Sequence, residues 1–435
     1  MRNSQNIPFS PAKFPFFYGW IILVAGTIGG ICSIPGQTMG VSVFTDHLIR
    51  ELGMSRDALS FAYMLGTAMS SFFLTYGGRI YDRKGARVTA VLAAVGLMLT
   101  LLLFSIANVI AEQISESFGV KMVLVAFPLV TLLFFLLRFT GQGMIALSSR
   151  NLIMKWFDRK RGLANGISSA AVSLGFSVSP LLLAAFIDNF QWDGAYRMLA
   201  AIVFLFVLFV FVFYRDNPEA CGLVPDGSIA SAKEKKSKAK DSKRQYTLKE
   251  AQRTWVFWIF ALALSFNAFF ITGFTFNVVS VFKAVGMGTD KALGIFLPAS
   301  VISVAVAIVG SVISDYVKLQ KLLLIFLFGC LLFTIGVSFL KYDFGYYVLI
   351  LGNGLMGGLF SVLAAVTWPR FFGRQYLGEI SGRAMALLVF GSAVAPLFFS
   401  RIFTLTGSYR LAGYIGAAMV LVLLLLSPKA KNPQI

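Results

Sequence analysis

Histidine is almost missing from this chain: His47 is the only one in 435 residues. Cysteine is nearly as scarce, and Cys32, Cys221 and Cys330 are too few and too scattered for a disulfide framework. No zinc or haem spacing can be assembled from them, so neither a metal nor a cofactor is expected. A Gly-x-x-x-x-Gly-Lys-Ser/Thr loop is absent, which speaks against an ATP-driven pump. No catalytic constellation supports an enzyme. Charge is thin at 13% of the residues, about half of what a soluble domain carries. There is no Asn-x-Ser/Thr sequon either, which fits a bacterial inner membrane.

What is present is apolar. The chain is 57% hydrophobic with 44 phenylalanines, and its mean hydropathy is +0.79. That composition describes a polytopic membrane protein. Apolar runs near the ~20 residues of a bilayer core cover residues 17–44, 58–80, 88–110, 122–152, 163–187 and 198–213. Six more follow at 255–282, 293–313, 322–340, 346–371, 380–403 and 411–426. Twelve spans are therefore expected, in an all-α fold of two six-helix bundles. Residues 1–213 form the first, 214–253 a cytoplasmic linker and 254–435 the second. No removable signal peptide is read at the start.

The net charge of +19 would suggest nucleic acid in a soluble protein. Here the basic residues sit in loops beside apolar runs, so a membrane explains them and no nucleic acid is expected. With the first segment placed inside, cytoplasmic segments hold 28 Lys and Arg and external ones hold 9, which puts both termini in the cytoplasm. The basic run 231–244 reads as a solvated linker lying on the lipid headgroups.

Between the second and third runs lies the charged hinge Gly77-Gly78-Arg79-Ile80-Tyr81-Asp82-Arg83-Lys84-Gly85-Ala86-Arg87. So short a loop forces its two helices antiparallel. The chain also repeats. A shift of 233 residues superimposes Gly40 on Gly273, Gly77 on Gly310 and Asp82 on Asp315. A shift of 216 superimposes Gly162, Gly166, Gly175 and Pro180 on Gly378, Gly382, Gly391 and Pro396. Duplicated six-helix halves joined by a long linker are the build of a rocker-type carrier, with its site expected between the halves.

The hinge pattern Gly-x-x-x-Asp-Arg-x-Gly-x-Arg, from Gly78 to Arg87, resembles the signature of the major facilitator superfamily. Phe17-Tyr18-Gly19-Trp20 resembles the start of the first helix in monocarboxylate carriers. Trp156-Phe157-Asp158-Arg159-Lys160-Arg161-Gly162 is similar to the start of the fifth helix in their bacterial relatives. The stretch from Arg215 to Gly227 is similar to the tail after their sixth helix. This resemblance to the monocarboxylate and oxalate–formate branch implies small carboxylates, moved with protons or exchanged for another anion. It also implies a conformational gate at Gly78, Asp82, Arg83, Gly85 and Arg87, with Asp315 as the weaker copy. In one respect the chain departs from the branch: residues 294–314 of the eighth span hold no charge, which weakens the case for proton coupling there.

Arg138 lies deep in the fourth run, in an Arg-x-x-x-Gln-Gly pattern that resembles that helix of the superfamily. A guanidinium inside a membrane is costly unless paired, and no intramembrane carboxylate offers itself. Two roles stay open: contacting an anionic substrate, or capping carbonyls of the first helix at its Pro35-Gly36 break. Gln37, Gln142, Asn267, Asn277 and Asn353 are the further candidates for binding substrate, each also able to serve as an interhelical hydrogen bond. Arg383 is either a substrate contact or one more cytoplasmic anchor. The expected function is secondary transport of small mono- or dicarboxylates by alternating access, by a monomer in contact with membrane lipids. A carrier of neutral or cationic solutes such as a drug exporter, and a non-transporting sensor or scaffold, remain as alternatives.

Overall fold

The computed structural model of the chain describes residues 7–227 and 244–434, the side chains of Arg56, Thr289 and Leu293 excepted. All of the basic run except Arg244 lies outside the described residues.

The described residues are helical, with no β-strand among them. Nine helices among them are long and apolar enough to cross a membrane, and the shorter apolar helix Gly19–Cys32 is a further candidate. Two of the nine are double. Arg56–Ser105 runs for 50 residues, and at Gly85 its backbone turns to φ 82° and ψ 172°. Arg161–Phe213 runs for 53 residues and breaks at Gln191, where φ is 62°. Each exceeds twice the length a bilayer core takes. Dividing both at these residues and counting Gly19–Cys32 reproduces the twelve runs of the sequence. Gly85 turns without strain because it has no Cβ to collide with the neighbouring carbonyl.

Two spans are interrupted, for identifiable reasons. Gly19–Cys32 gives way to a tight 3₁₀ turn, Ile34–Gly36, before the short helix Thr38–Ser42. Pro35 lacks an N–H and cannot continue the α ladder. The fourth span begins as Met122–Leu137, passes through a π-helical stretch, Arg138–Ile145, and resumes as Ala146–Trp156. A π stretch holds one extra residue per turn, which loosens the carbonyl ladder and re-aims side chains.

The described residues cluster into two compact units. The first takes Met1–Asp158, Ala171–Lys240 and Ser381–Ala386; the second takes Arg159–Ala170, Asp241–Ile380 and Leu387–Ile435. Aromatic packing fills each core. In the first, Phe44 and Phe104 both stack on Tyr196, with ring centroids 4.1 and 5.2 Å away. In the second, Phe270 meets Phe333 at 5.7 Å and Phe399 at 5.2 Å. Large apolar side chains also point outward, among them Phe72 (71% exposed) and Leu425 (80%). Water would penalise that surface, whereas lipid accepts it and leaves the helices to satisfy their own backbone.

Candidate functional site

Arg138 lies buried in the fourth span, only 2% exposed. Its Nη1 donates to the carbonyl of Gly36 at 3.1 Å and to Thr38 Oγ1 at 3.4 Å. The guanidinium carbon lies 5.3 Å from the centroid of the Tyr63 ring, whose hydroxyl is 2.9 Å from Thr38 Oγ1. No carboxylate pairs with Arg138 among the described residues, and its Nε is buried without a hydrogen-bond partner.

The backbone makes this reach possible. A Cβ added to Gly36 would stand 2.7 Å from Gly141 Cα and from Leu137 O, and one added to Gly141 would stand 2.8 Å from Gly36 Cα. The broken first span and the π stretch therefore touch backbone to backbone, and the freed Gly36 carbonyl meets the guanidinium. Capping of the first span is thus a fact of the structure. It occupies one nitrogen of the planar fork and leaves Nε asking for an acceptor, the edge on which a carboxylate binds.

The other sequence candidates separate by unit. In the first, Gln37 donates from Nε2 to Ser33 Oγ at 3.1 Å, while the Oε1 of Gln142 is buried and unpartnered. Arg383 is half-buried and its Nε also lacks a partner. In the second, Asn267 is 5% exposed with an unpartnered Oδ1. Asn277 has an interhelical use: it donates to Gly273 O at 2.9 Å and accepts from Ser400 Oγ at 3.3 Å. Asn353 is half-buried.

At the hinge, Gly78 is buried, Asp82 half-buried and Arg83 exposed. A Cβ on Gly382 would meet Leu74 O at 2.6 Å and Gly78 Cα at 3.4 Å, so this glycine pair marks a close helix crossing. Beyond the turn at Gly85, the N–H of Arg87 donates to Asp216 Oδ1 at 3.1 Å. Arg87 Nε donates to Tyr214 O at 2.8 Å, and its Nη2 to Ile7 O at 3.1 Å. In the second unit, Asp315 accepts from the N–H groups of Gly162 (2.8 Å) and Leu163 (3.2 Å). These lie in the first turn of Arg161–Phe213, where a carboxylate satisfies free donors and the helix dipole together.

Three motifs that stand far apart in sequence converge in the first unit. Trp156 donates from Nε1 to Arg215 O at 2.9 Å, and its ring lies 5.9 Å from Phe17 and 5.6 Å from Tyr18. Tyr18 donates to Phe213 O at 2.9 Å, and Arg215 donates to Phe9 O at 3.3 Å. Cys221, in the same tail, has its thiol pushed up to about 11, chiefly by burial, so it stays protonated at neutral pH. Thr38, Tyr63 and Asp216 were not singled out by the sequence. Only Asp216 carried a signal, as the neighbour of Arg215 in a motif already noted.

The sequence model of the Major Facilitator Superfamily matches residues 26–396. The chain is 26% identical over 211 residues to an MFS-type transporter 1 of Ophiocordyceps sp. (strain BCC 1869), covering 47% of this chain and 42% of that protein. It is 26% identical over 192 residues to human monocarboxylate transporter 6, covering 42% and 33%. The chain thus spans less than half the length of these curated relatives. Among solved structures, the proton:xylose symporter XylE bound to 6-bromo-6-deoxy-D-glucose aligns with a TM-score of 0.70 at 14% identity, over 96% of this chain and 98% of the other. At that identity the likeness is one of fold.

Proposed function

The chain belongs to the major facilitator superfamily, an integral membrane transporter family and not an enzyme family, and from that premise we propose that it carries small organic anions, mono- or dicarboxylates, by alternating access. One observation carries the reading: a buried guanidinium with no carboxylate partner among the described residues and an unpartnered Nε. Such a group gives its surroundings a positive potential that water does little to screen, and it favours an anion over a neutral or cationic solute. Its planar fork matches a carboxylate in two parallel bonds. The similarity to monocarboxylate transporter 6 supports the same substrate class.

In this reading Arg138 keeps Gly36 on one nitrogen and takes the carboxylate on its free edge, with Thr38 and Tyr63 beside it. Gln37, Gln142, Asn267, Asn277, Asn353 and Arg383 are the remaining contacts proposed. A loaded carrier has its deep charge compensated and changes state more readily than an empty one, which favours exchange of one anion for another over proton symport. Gly78, Asp82, Arg83, Gly85, Arg87 and Asp315 form the proposed gate. The division into bundles at 1–213 and 254–435, a monomeric state, an inner-membrane location and cytoplasmic termini complete the proposal.

Uptake of labelled carboxylates into proteoliposomes tests it. Uptake that requires an anion loaded inside is the expected result. Uptake driven by a pH gradient alone would replace exchange by symport. Transport of a neutral or cationic solute, with none of any carboxylate, would remove the anion reading.

A further inference from the structure

We propose that His47 is a proton-binding site that works a latch on the face which the proposed topology assigns to the outside. The proposal rests on the geometry of a cleft in the first unit, apart from Arg138, and stands or falls independently of the substrate. The cleft has a volume of about 580 Å³. Its lining includes His47, Arg50 and Glu51 from the helix Thr45–Glu51, and Asp188, Asp193 and Arg197 from the helix Arg161–Phe213.

The direction of one hydrogen bond fixes the state of His47. Arg50 Nη2 lies 3.1 Å from His47 Nδ1. A guanidinium has only donors and stays protonated, so Nδ1 must accept. This contact fits the tautomer that carries its proton on Nε2. Around it the charges are mostly committed. Arg50 also reaches Glu51 through Nε at 3.4 Å, and Arg197 is paired with Asp193. Asp188 is exposed, and no hydrogen bond or ion pair engages it among the described residues. The wall that carries it is held by Gln191, whose φ of 62° and ψ of 173° is a conformation that side chains other than glycine rarely adopt. Strain of this kind persists where the surroundings enforce it, and it is often found at switches.

A proton from the medium adds to the Nδ1 lone pair, and no other bond changes. Arg50 loses its acceptor, and two cations then stand side by side on the same wall. The imidazolium becomes a donor at both nitrogens, and Asp188, which lines the same cleft, is the acceptor proposed for it. Pairing of His47 with Asp188 narrows the cleft.

Because the chain has a single histidine, its imidazole can be observed directly. In full-length protein labelled with ¹⁵N-histidine and held in lipid nanodiscs, the ring-nitrogen shifts at about pH 8 should report the Nε2–H tautomer. Arg50→Gln should release that preference. A dominant Nδ1–H tautomer, or a tautomer unmoved by Arg50→Gln, overturns the proposal without any substitution at His47. For the latch itself, Val109 lines the same cleft. The maleimide labelling rate of Val109→Cys is measured from pH 8 to pH 5 against the unsubstituted chain, alone and combined with His47→Gln or Asp188→Asn. Narrowing predicts that acid slows labelling about threefold more in the single variant than in either double variant, as an exposed ion pair allows. An identical pH response in all three overturns the latch.

Discussion

The fourth and tenth spans hold equivalent places in the two sequence repeats, yet they are built differently. The fourth breaks into a π stretch at Arg138–Ile145 and carries a buried cation. The tenth, Asp343–Phe372, is a continuous 30-residue α-helix with no charge between Asp343 and Arg370. Its polar side chain in mid-span, Asn353, is neutral. The difference shows what a charge inside a membrane demands of its backbone. Arg138 needs an acceptor, and the broken first span supplies one at Gly36 only because Gly36 and Gly141 lie backbone to backbone. A neutral amide makes no such demand, and the tenth span stays regular. The two hinges differ likewise. In the first unit the chain beyond Gly85 is tied to the tail at Tyr214 and Asp216, whereas in the second the repeated aspartate, Asp315, caps the first turn of another helix.

The largest effect should come from filling the contact between Gly36 and Gly141 that lets Arg138 reach its acceptor. In Gly141→Val the new side chain meets the backbone of Gly36, which cannot yield, and overpacking of this kind costs about 1–3 kcal/mol or more. The folded yield in size-exclusion chromatography should collapse and the melting temperature should fall. Gly357→Ala in the tenth span should be tolerated, because its Cβ meets only the Ser303 side chain, whose Oγ at 3.0 Å can rotate away. Equal behaviour of the two variants would erase the distinction.

Next come the hinges. Asp315→Asn weakens the cap on Gly162 and Leu163, and the loss of a cap costs about 1 kcal/mol, or about fivefold in a conformational equilibrium. Exchange rates in proteoliposomes should fall by that order with substrate affinity nearly unchanged, and Asp82→Asn should slow exchange at least as much. Wild-type turnover in Asp82→Asn would take that residue out of the gate. A larger defect in Asp315→Asn would reverse the order of the two hinges.

The smallest effect is expected at Glu250, on the short helix Leu248–Gln252 that precedes the seventh span. Its carboxyl is held down at about 2 by the backbone N–H of Thr247 first and by Arg244 next. A carboxyl held below its ordinary value stabilises the fold at pH values above that ordinary value, and the contribution fades as pH falls toward about 2. Because Glu250 is exposed, the gap in melting temperature between wild type and Glu250→Gln should be small at neutral pH and close on acidification. A gap that widens in acid would contradict the capping box.

The repeat, the hinge and the deep arginine were legible in the sequence because glycine, proline and charge are scarce inside apolar runs, and each such residue has a physical reason to be there. Arg138 was visible as a cost without a partner. Its surroundings were not, because Thr38 and Tyr63 are ordinary residues whose meaning depends on a break in one span and a π stretch in another. Pro35 announced the first of these, but nothing in the local pattern of 138–145 announces an extra residue per turn. The turn at Gly85 was legible too, because a glycine among charges between two apolar runs marks the place where the backbone leaves helical geometry. For Asn277 the sequence left two uses open, substrate contact and interhelical hydrogen bond, and the structure shows its bonds to Gly273 and Ser400.

The central claim is that the free edge of Arg138 receives a carboxylate, and calorimetry on purified protein tests it most directly. A panel of mono- and dicarboxylates is titrated into wild type, Arg138→Lys and Arg138→Gln, each first shown to be monodisperse. Wild type should bind at least one member of the panel, and Arg138→Lys should bind it poorly. Arg138→Gln should lose about 100-fold or more, the scale on which a buried charge pair is lost. If Arg138→Gln binds the same carboxylate as tightly as wild type, Arg138 serves only to cap Gly36, and the substrate is held elsewhere.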